Sequence, residues 1–164
     1  MTLPSRRVLN SAGFFACAGM MAFALYAQYL LYLDPCPLCI FQRVAVIGMG
    51  MVFLIAALHD PAAWGRRVYA ALLAVIAAAG AGVAGWHVRL QNLPPDEVPS
   101  CGPGLEYMLE NFPLADALQM VFKGSGECAE VVWQFLGLSM PAWVLIAVIT
   151  LGVFGFWANW RETQ

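Results

Sequence analysis

The residues best able to do chemistry in this chain are its five cysteines. Two stand together as Cys36-Pro37-Leu38-Cys39, two more are Cys101 and Cys128, and Cys17 is alone. Pro37 suits the first helical position, which makes Cys36 the N-cap and Cys39 the third helical residue. There the Cys39 sulfur meets unpaired amides at the positive end of the helix dipole, which favours thiolate over thiol. Arg43 follows four residues later on the same face and adds a fixed positive charge. The set reads as a redox dithiol that can hold a sulfur anion beside something apolar.

Cys36, Cys39, Cys101 and Cys128 allow three pairings; local spacing favours Cys36 with Cys39, leaving Cys101 with Cys128. The competing uses of Cys-x-x-Cys are a permanent staple and half of a zinc site. Zinc wants four nearby ligands, and Cys101 and Cys128 are too far apart in sequence to form a second knuckle, so no metal is expected. Arg43 taken alone would read as a snorkelling anchor, but its spacing from Cys39 argues for a chemical role. Cys17, among Ala, Gly and Phe, reads as a small packing hydrophobe. His87 is a candidate proton carrier because imidazole titrates near neutrality, with a satisfied interfacial histidine as the competing reading. His59, beside Asp60-Pro61, has a local role, and Arg89 is an interfacial anchor.

Composition dictates what must position these groups. Of 164 residues, 62% are hydrophobic and 11% charged, with a mean hydropathy of +0.72, which excludes an ordinary water-soluble globule. Eight basic against ten acidic residues give a net charge of -2, so no cationic field exists to hold nucleic acid. Four apolar stretches, 12–33, 41–58, 69–90 and 142–158, are each long enough to span a bilayer as a helix. The third contains Ala77 to Gly85, a run of small residues that allows close helix contact. The expected fold is all-α, a membrane four-helix bundle formed by residues 1–164 as one domain.

Arg6, Arg7, Arg66, Arg67 and Arg161 flank the spans on one side, whereas the 91–141 loop holds Lys123 as its one lysine and several acids. The basic side is expected to be cytoplasmic with both termini, and the loop and the 34–40 turn periplasmic. That compartment permits disulfides. A cleavable signal peptide over the first segment is the competing reading; its apolar run is longer than such a peptide needs. A lipoprotein signal at Cys17 is disfavoured by the bulk of Phe14 and Phe15. The loop is too long to be a mere connection. It opens stiffly at Pro94-Pro95 and Pro99, and Pro113 starts an amphipathic helix with Leu114, Ala117, Leu118, Val121 and Phe122 on one face, expected along the membrane surface. Trp133, Phe135 and Trp143 supply an aromatic belt.

The chain resembles the disulfide bond formation protein B (DsbB) family, quinone-coupled thiol oxidases of the bacterial inner membrane. The resemblance runs nearly full length. It is carried by Pro35-Cys36-Pro37-Leu38-Cys39-Ile40 with Arg43, and by Ser125-Gly126-Glu127-Cys128-Ala129-Glu130 continuing through Trp133, Phe135 to Leu138, Met140-Pro141 and Trp143. His87, Leu90 and Gln91 match the end of the family's third span. Gly102-Pro103-Gly104 departs from it, being richer in glycine and proline.

The resemblance implies a chemistry. A reduced periplasmic thioredoxin-fold oxidase (DsbA-like) attacks Cys101, Cys128 then attacks Cys36, and Cys39 meets a membrane quinone, ubiquinone or menaquinone, with Arg43 and His87 as cofactor-binding residues. On the established scale of thiol potentials DsbA stands near about -120 mV, and a structural disulfide below about -300 mV would fall roughly 8 kcal/mol short of oxidising it. A strong terminal acceptor removes that shortfall. Two other readings compete: a non-catalytic membrane scaffold with permanent periplasmic disulfides, and a haem cytochrome using His59 and His87, which the placement of the two histidines at opposite membrane faces disfavours.

Overall fold

Apolar stretches that leave water must pair every backbone amide internally, so the long apolar runs form helices. The computed structural model describes residues 4–94, 96–98, 107, 110–124 and 126–161. In chain order its elements are α1 (Arg6–Leu30), α2 (Pro37–His59), α3 (Ala63–Gln91), α4 (Leu114–Lys123), α5 (Gly126–Ala129), strands β1 (Gln134–Phe135) and β2 (Leu138–Ser139), and α6 (Met140–Trp160). Helices α1, α2, α3 and α6 are long and apolar enough to cross a membrane, and the chain is a membrane four-helix bundle. Pro95, Pro99, Cys101 and Gly102-Pro103-Gly104 lie outside the described residues.

Most helix ends run past the stretches read from hydropathy, because hydropathy marks lipid contact whereas the backbone ladder continues until a cap stops it. Ser5 caps α1 by accepting from the Val8 amide at 3.4 Å, so the helix begins at Arg6 in the polar boundary. Its other end falls short of residue 33. Tyr32 takes a left-handed backbone (φ 53°), and Pro35 and Pro37 keep the preceding residues from staying helical. Asp60 closes α2 in the left-handed region (φ 43°), and its carboxylate faces Arg6 at 3.9 Å and Arg7 at 3.2 Å.

Helix α3 packs along α6, α1 along α2, and α2 along α3. The core lies where Cys17, Met49, Phe53, Leu73 and Val148 meet, which bears out packing as the surroundings of Cys17. Close approach needs glycine at particular points. A Cβ at Gly155 would fall 2.7 Å from Leu73 and 2.8 Å from Phe53, and one at Gly80 3.2 Å from Val148. Not all of the small-residue run serves this purpose: Gly82 and Gly85 have open space around them. Asn10 and Asn159 exchange amide hydrogen bonds at 3.1 and 2.9 Å, pinning α1 to α6 through two buried polar groups that satisfy each other.

A second apolar cluster joins the ends of α2 and α3 that lie away from Arg6, Arg7, Arg66, Arg67 and Arg161. Leu38, Leu90, Val121 and Cys128 are buried together, with Phe41, Trp86 and Met120 around them. Helix α4 therefore docks onto the bundle through Val121, and Phe122 packs at 5.7 Å on Phe41; it does more than rest on a lipid surface. Pro113 is its N-cap and not its first helical residue. The hairpin of β1 and β2 pairs Gln134 with Ser139 and Phe135 with Leu138. Leu136 and Gly137 both take positive φ (52° and 78°), as a two-residue hairpin turn requires. Trp143 donates its indole N–H to the Phe135 carbonyl at 3.0 Å and ties the hairpin to α6.

A leucine at Gly155 should lower the thermal midpoint of the detergent-solubilised protein by roughly 3–10 °C, the effect of about 1–3 kcal/mol of overpacking. Gly82→Ala should leave the midpoint within error. Equal effects of the two substitutions in a thermal unfolding assay would contradict this account of the α3–α6 contact.

Candidate functional site

The local reading of Cys36-Pro37-Leu38-Cys39 is what the backbone adopts. Cys36 is extended (φ -65°, ψ 163°) and stands as the N-cap, Pro37 opens α2, and Cys39 is its third residue. One helical turn brings the two sulfurs to 3.4 Å, with the Cys36 thiol donating to Cys39. Tertiary packing adds what spacing cannot supply. The end of α3 delivers His87, whose Nε2 lies 3.7 Å from the Cys36 sulfur, and α5 delivers Cys128. The ligating atoms of Cys36, His87 and Cys128 all lie within 4.8 Å of one another.

Cys36 is thus a junction: one sulfur faces both its helical neighbour and a cysteine 92 positions away in sequence. The same three donors are close enough to share a metal ion, a cluster that a search for a second Cys-x-x-Cys knuckle overlooks. Burial differs across the junction. His87 and Cys128 are 2% and 1% exposed, whereas Cys36 and Cys39 are half-buried. The junction is sealed on the side of the Leu38–Leu90 cluster and opens on the other.

That opening is a cavity of about 380 Å³ between α1, the start of α2, the end of α3 and the start of α6. Its walls include Met20, Met21, Val46, Trp133, Met140 and Val144, and Cys36, Cys39, Arg43, His87 and Gln91 also face it. Arg43 and Cys39 line one space, as their spacing on α2 implies. The Arg43 guanidinium is held from across the cavity, where it donates to the Gln28 side-chain oxygen and, at 3.2 Å, to the Ala24 carbonyl. Gln91 presents a buried side-chain oxygen that has no hydrogen-bond partner among the described residues.

Three glutamines therefore belong to the site: Gln91, which the sequence singled out only as part of the resemblance and which brings an unsatisfied acceptor, and two that sequence reasoning passed over, Gln28, which orients Arg43, and Gln42. The Gln42 side-chain nitrogen lies 2.9 Å from His87 Nδ1, and Gln42 is itself 4% exposed. A polar amide inside a membrane-spanning run is a signal in its own right, because such groups are expensive in lipid. The remaining candidates lie elsewhere. His59 contacts the Tyr69 hydroxyl at 3.0 Å at the opposite end of α2 from Cys36, Cys17 is in the bundle core, and Arg89 stacks over the Trp86 ring at 5.4 Å.

Comparison with known proteins adds an independent line. The family profile described as "Disulfide bond formation protein DsbB" matches residues 6–158. A "Disulfide bond formation protein B" of Nitrosococcus oceani is 58% identical over 91% of this chain and 88% of its own. Proteins of the same description from Methylococcus capsulatus and Saccharophagus degradans are 54% and 51% identical, over 100% and 98% of this chain and 100% and 96% of theirs.

The approach of Cys128 to Cys36 can be tested without a partner or a substrate. In a Cys39→Ser, Cys101→Ser variant, a mild oxidant should link Cys36 to Cys128 within minutes, seen as one cross-linked peptide pair by mass spectrometry under non-reducing conditions. Failure to cross-link while both thiols still react with a small alkylating agent would contradict the geometry.

Proposed function

The chain belongs to the disulfide bond formation protein B family, as a membrane protein acting in disulfide bond formation, and on that premise we propose that it oxidises the dithiol of a DsbA-like periplasmic oxidase and passes the electrons through two cysteine pairs to membrane quinone. The convergence of Cys39, Cys128 and His87 on the Cys36 sulfur is the observation that carries this reading. A permanent staple needs two sulfurs. A third beside them is what thiol–disulfide exchange requires, since the attacking sulfur must reach one member of an existing pair.

The sequence of bonds follows. A thiolate of the reduced partner attacks Cys101 in the Cys101–Cys128 disulfide, and the electron pair of the broken bond leaves on Cys128. Cys128 attacks Cys36, breaking the Cys36–Cys39 bond and freeing Cys39 as the anion. The second thiolate of the partner attacks the partner's own sulfur in the mixed disulfide, so the partner departs oxidised and Cys101 is released. Cys101 attacks Cys128, restoring that pair and freeing Cys36. The Cys36–Cys39 dithiol then closes with loss of two electrons and two protons.

The residues around Cys39 suit a quinone as the acceptor. Its ring needs apolar walls and a few polar contacts at its oxygens, and the cavity beside Cys39 offers Met20, Val46, Trp133 and Val144 with Arg43, His87 and Gln91. The unsatisfied Gln91 oxygen is an acceptor for an O–H group. When bound, a quinone supplies a two-electron, two-proton sink. Arg43, oriented by Gln28, contributes a fixed positive charge that balances the Cys39 thiolate. His87 contributes a hydrogen bond beside Cys36.

The orientation proposed is that of a bacterial inner-membrane protein with both termini cytoplasmic and the cysteine-bearing segments periplasmic. It is supported by the gathering of five of the seven arginines, Arg6, Arg7, Arg66, Arg67 and Arg161, at the end of the bundle opposite Cys36 and Cys128, where Arg6 and Arg7 face Asp60 and Arg66 donates to the Arg161 carbonyl at 3.2 Å.

Purified protein given a reduced thioredoxin-fold partner and either ubiquinone or menaquinone should form one quinol per partner disulfide; no quinol with either quinone would overturn the reading. Cys39→Ser should abolish quinol formation while Cys101 still forms a mixed disulfide with the partner, and full quinone reduction by that variant would refute the role of Cys39. Arg43→Ala should raise the apparent KM for quinone or lower the rate by roughly tenfold or more, the scale of one lost charge-assisted contact, with the partner exchange little altered. Unaltered quinone kinetics would count against Arg43.

A further inference from the structure

Resting on the redox reading of Cys36, we propose that Gln42 is a positioning residue for His87: its side-chain amide holds the imidazole in the tautomer protonated on Nε2, so that the ring donates a hydrogen bond to the Cys36 sulfur and does not take a proton from it. The Gln42 nitrogen stands 2.9 Å from His87 Nδ1. A carboxamide nitrogen carries two N–H donors and no lone pair to accept with, so this contact is a hydrogen bond only if Nδ1 is the acceptor. The other neutral tautomer would set N–H against N–H at that distance. With Nδ1 unprotonated, a neutral ring carries its hydrogen on Nε2, and Nε2 is the atom 3.7 Å from the Cys36 sulfur.

Burial gives this contact its force. His87 and Gln42 both border the cavity but are only 2% and 4% exposed, so a mismatched donor pair would be left largely uncompensated. The two residues come from different helices, α2 and α3, whose packing fixes the ring. Residues on α2 thus address both partners in the contact, since the same helix start carries Cys36 at its N-cap and Gln42 within its second turn.

The consequence lies in the step that frees Cys36. When Cys101 attacks Cys128 in the Cys36–Cys128 disulfide, the new bond is Cys101–Cys128 and the electron pair of the broken bond stays on the Cys36 sulfur. The Nε2 hydrogen is already directed there, so the departing anion gains a donor without any proton leaving the ring. The opposite tautomer would make His87 a base toward the Cys36 thiol and offer nothing to the departing sulfur.

Ring nitrogen NMR on the full-length reduced protein in micelles, with 15N-labelled histidine and a His59→Asn background to leave one signal set, reads the tautomer directly. The expected spectrum has an unprotonated Nδ1 and a protonated Nε2 for His87. Gln42→Glu, whose carboxylate only accepts, should exchange the two signatures. In a background where Cys39, Cys101 and Cys128 are serine, the same substitution should speed iodoacetamide alkylation of Cys36 about tenfold at fixed pH, because a ring unprotonated on Nε2 takes the thiol proton. A wild-type ring protonated on Nδ1 overturns the assignment, and so does an alkylation rate unmoved by a reversed tautomer. If the spectra come out as expected but Cys36 never changes redox state during turnover, the reading of Cys36 as a redox cysteine fails while the assignment of Gln42 stands.

Discussion

The structure depends on a seal of apolar side chains over the ends of α2 and α3. Leu38, Leu90, Val121 and Cys128 are buried against one another, and this cluster fixes where α4 and α5 sit. Without it, Cys128 would belong to a loop free to sample solution. With it, the Cys128 sulfur is held within 4.8 Å of Cys36 and His87. Burying an otherwise ordinary hydrophobic set thus performs the positioning on which sulfur exchange relies, since exchange demands that attacking and leaving sulfurs share one small volume.

Two environments meet at Cys36. Toward Leu38 and Leu90 the surroundings are closed, while Gln42 and His87, which satisfy each other, border the open side. Toward α1 and α6 a cavity opens, with Arg43 anchored by Gln28 and the Ala24 carbonyl. The proposed division of labour follows this asymmetry: exchange with Cys128 takes place on the closed side, and electrons leave through Cys39 on the open side. A fixed guanidinium is worth more beside an apolar cavity than in water, because low polarity strengthens its attraction for a nearby anion.

What the sequence disclosed was whatever depends on short range. The N-cap position of Cys36, the helix start at Pro37 and the shared face of Cys39 and Arg43 all follow from helical geometry within eight residues. The four long apolar helices were legible because lipid leaves the backbone no alternative. Their ends were less so, since Arg6 and Arg7 continue α1 beyond the apolar run and hydropathy does not register caps. The β1–β2 hairpin escaped notice because two-residue strands leave no alternation to read. The meeting of Cys36 with Cys128 and the pairing of Gln42 with His87 are products of helix packing, and no local pattern encodes them.

The claim most in need of a direct test is that these cysteines turn over. Cells expressing the protein can be depleted of quinone, quenched in acid and alkylated, and the state of each cysteine read by mass. The predicted result is Cys36 and Cys39 recovered as reduced thiols or in mixed disulfides on depletion, and oxidised when quinone is restored. Cysteines that stay fully oxidised whatever the quinone supply would contradict it and favour permanent staples on a membrane scaffold.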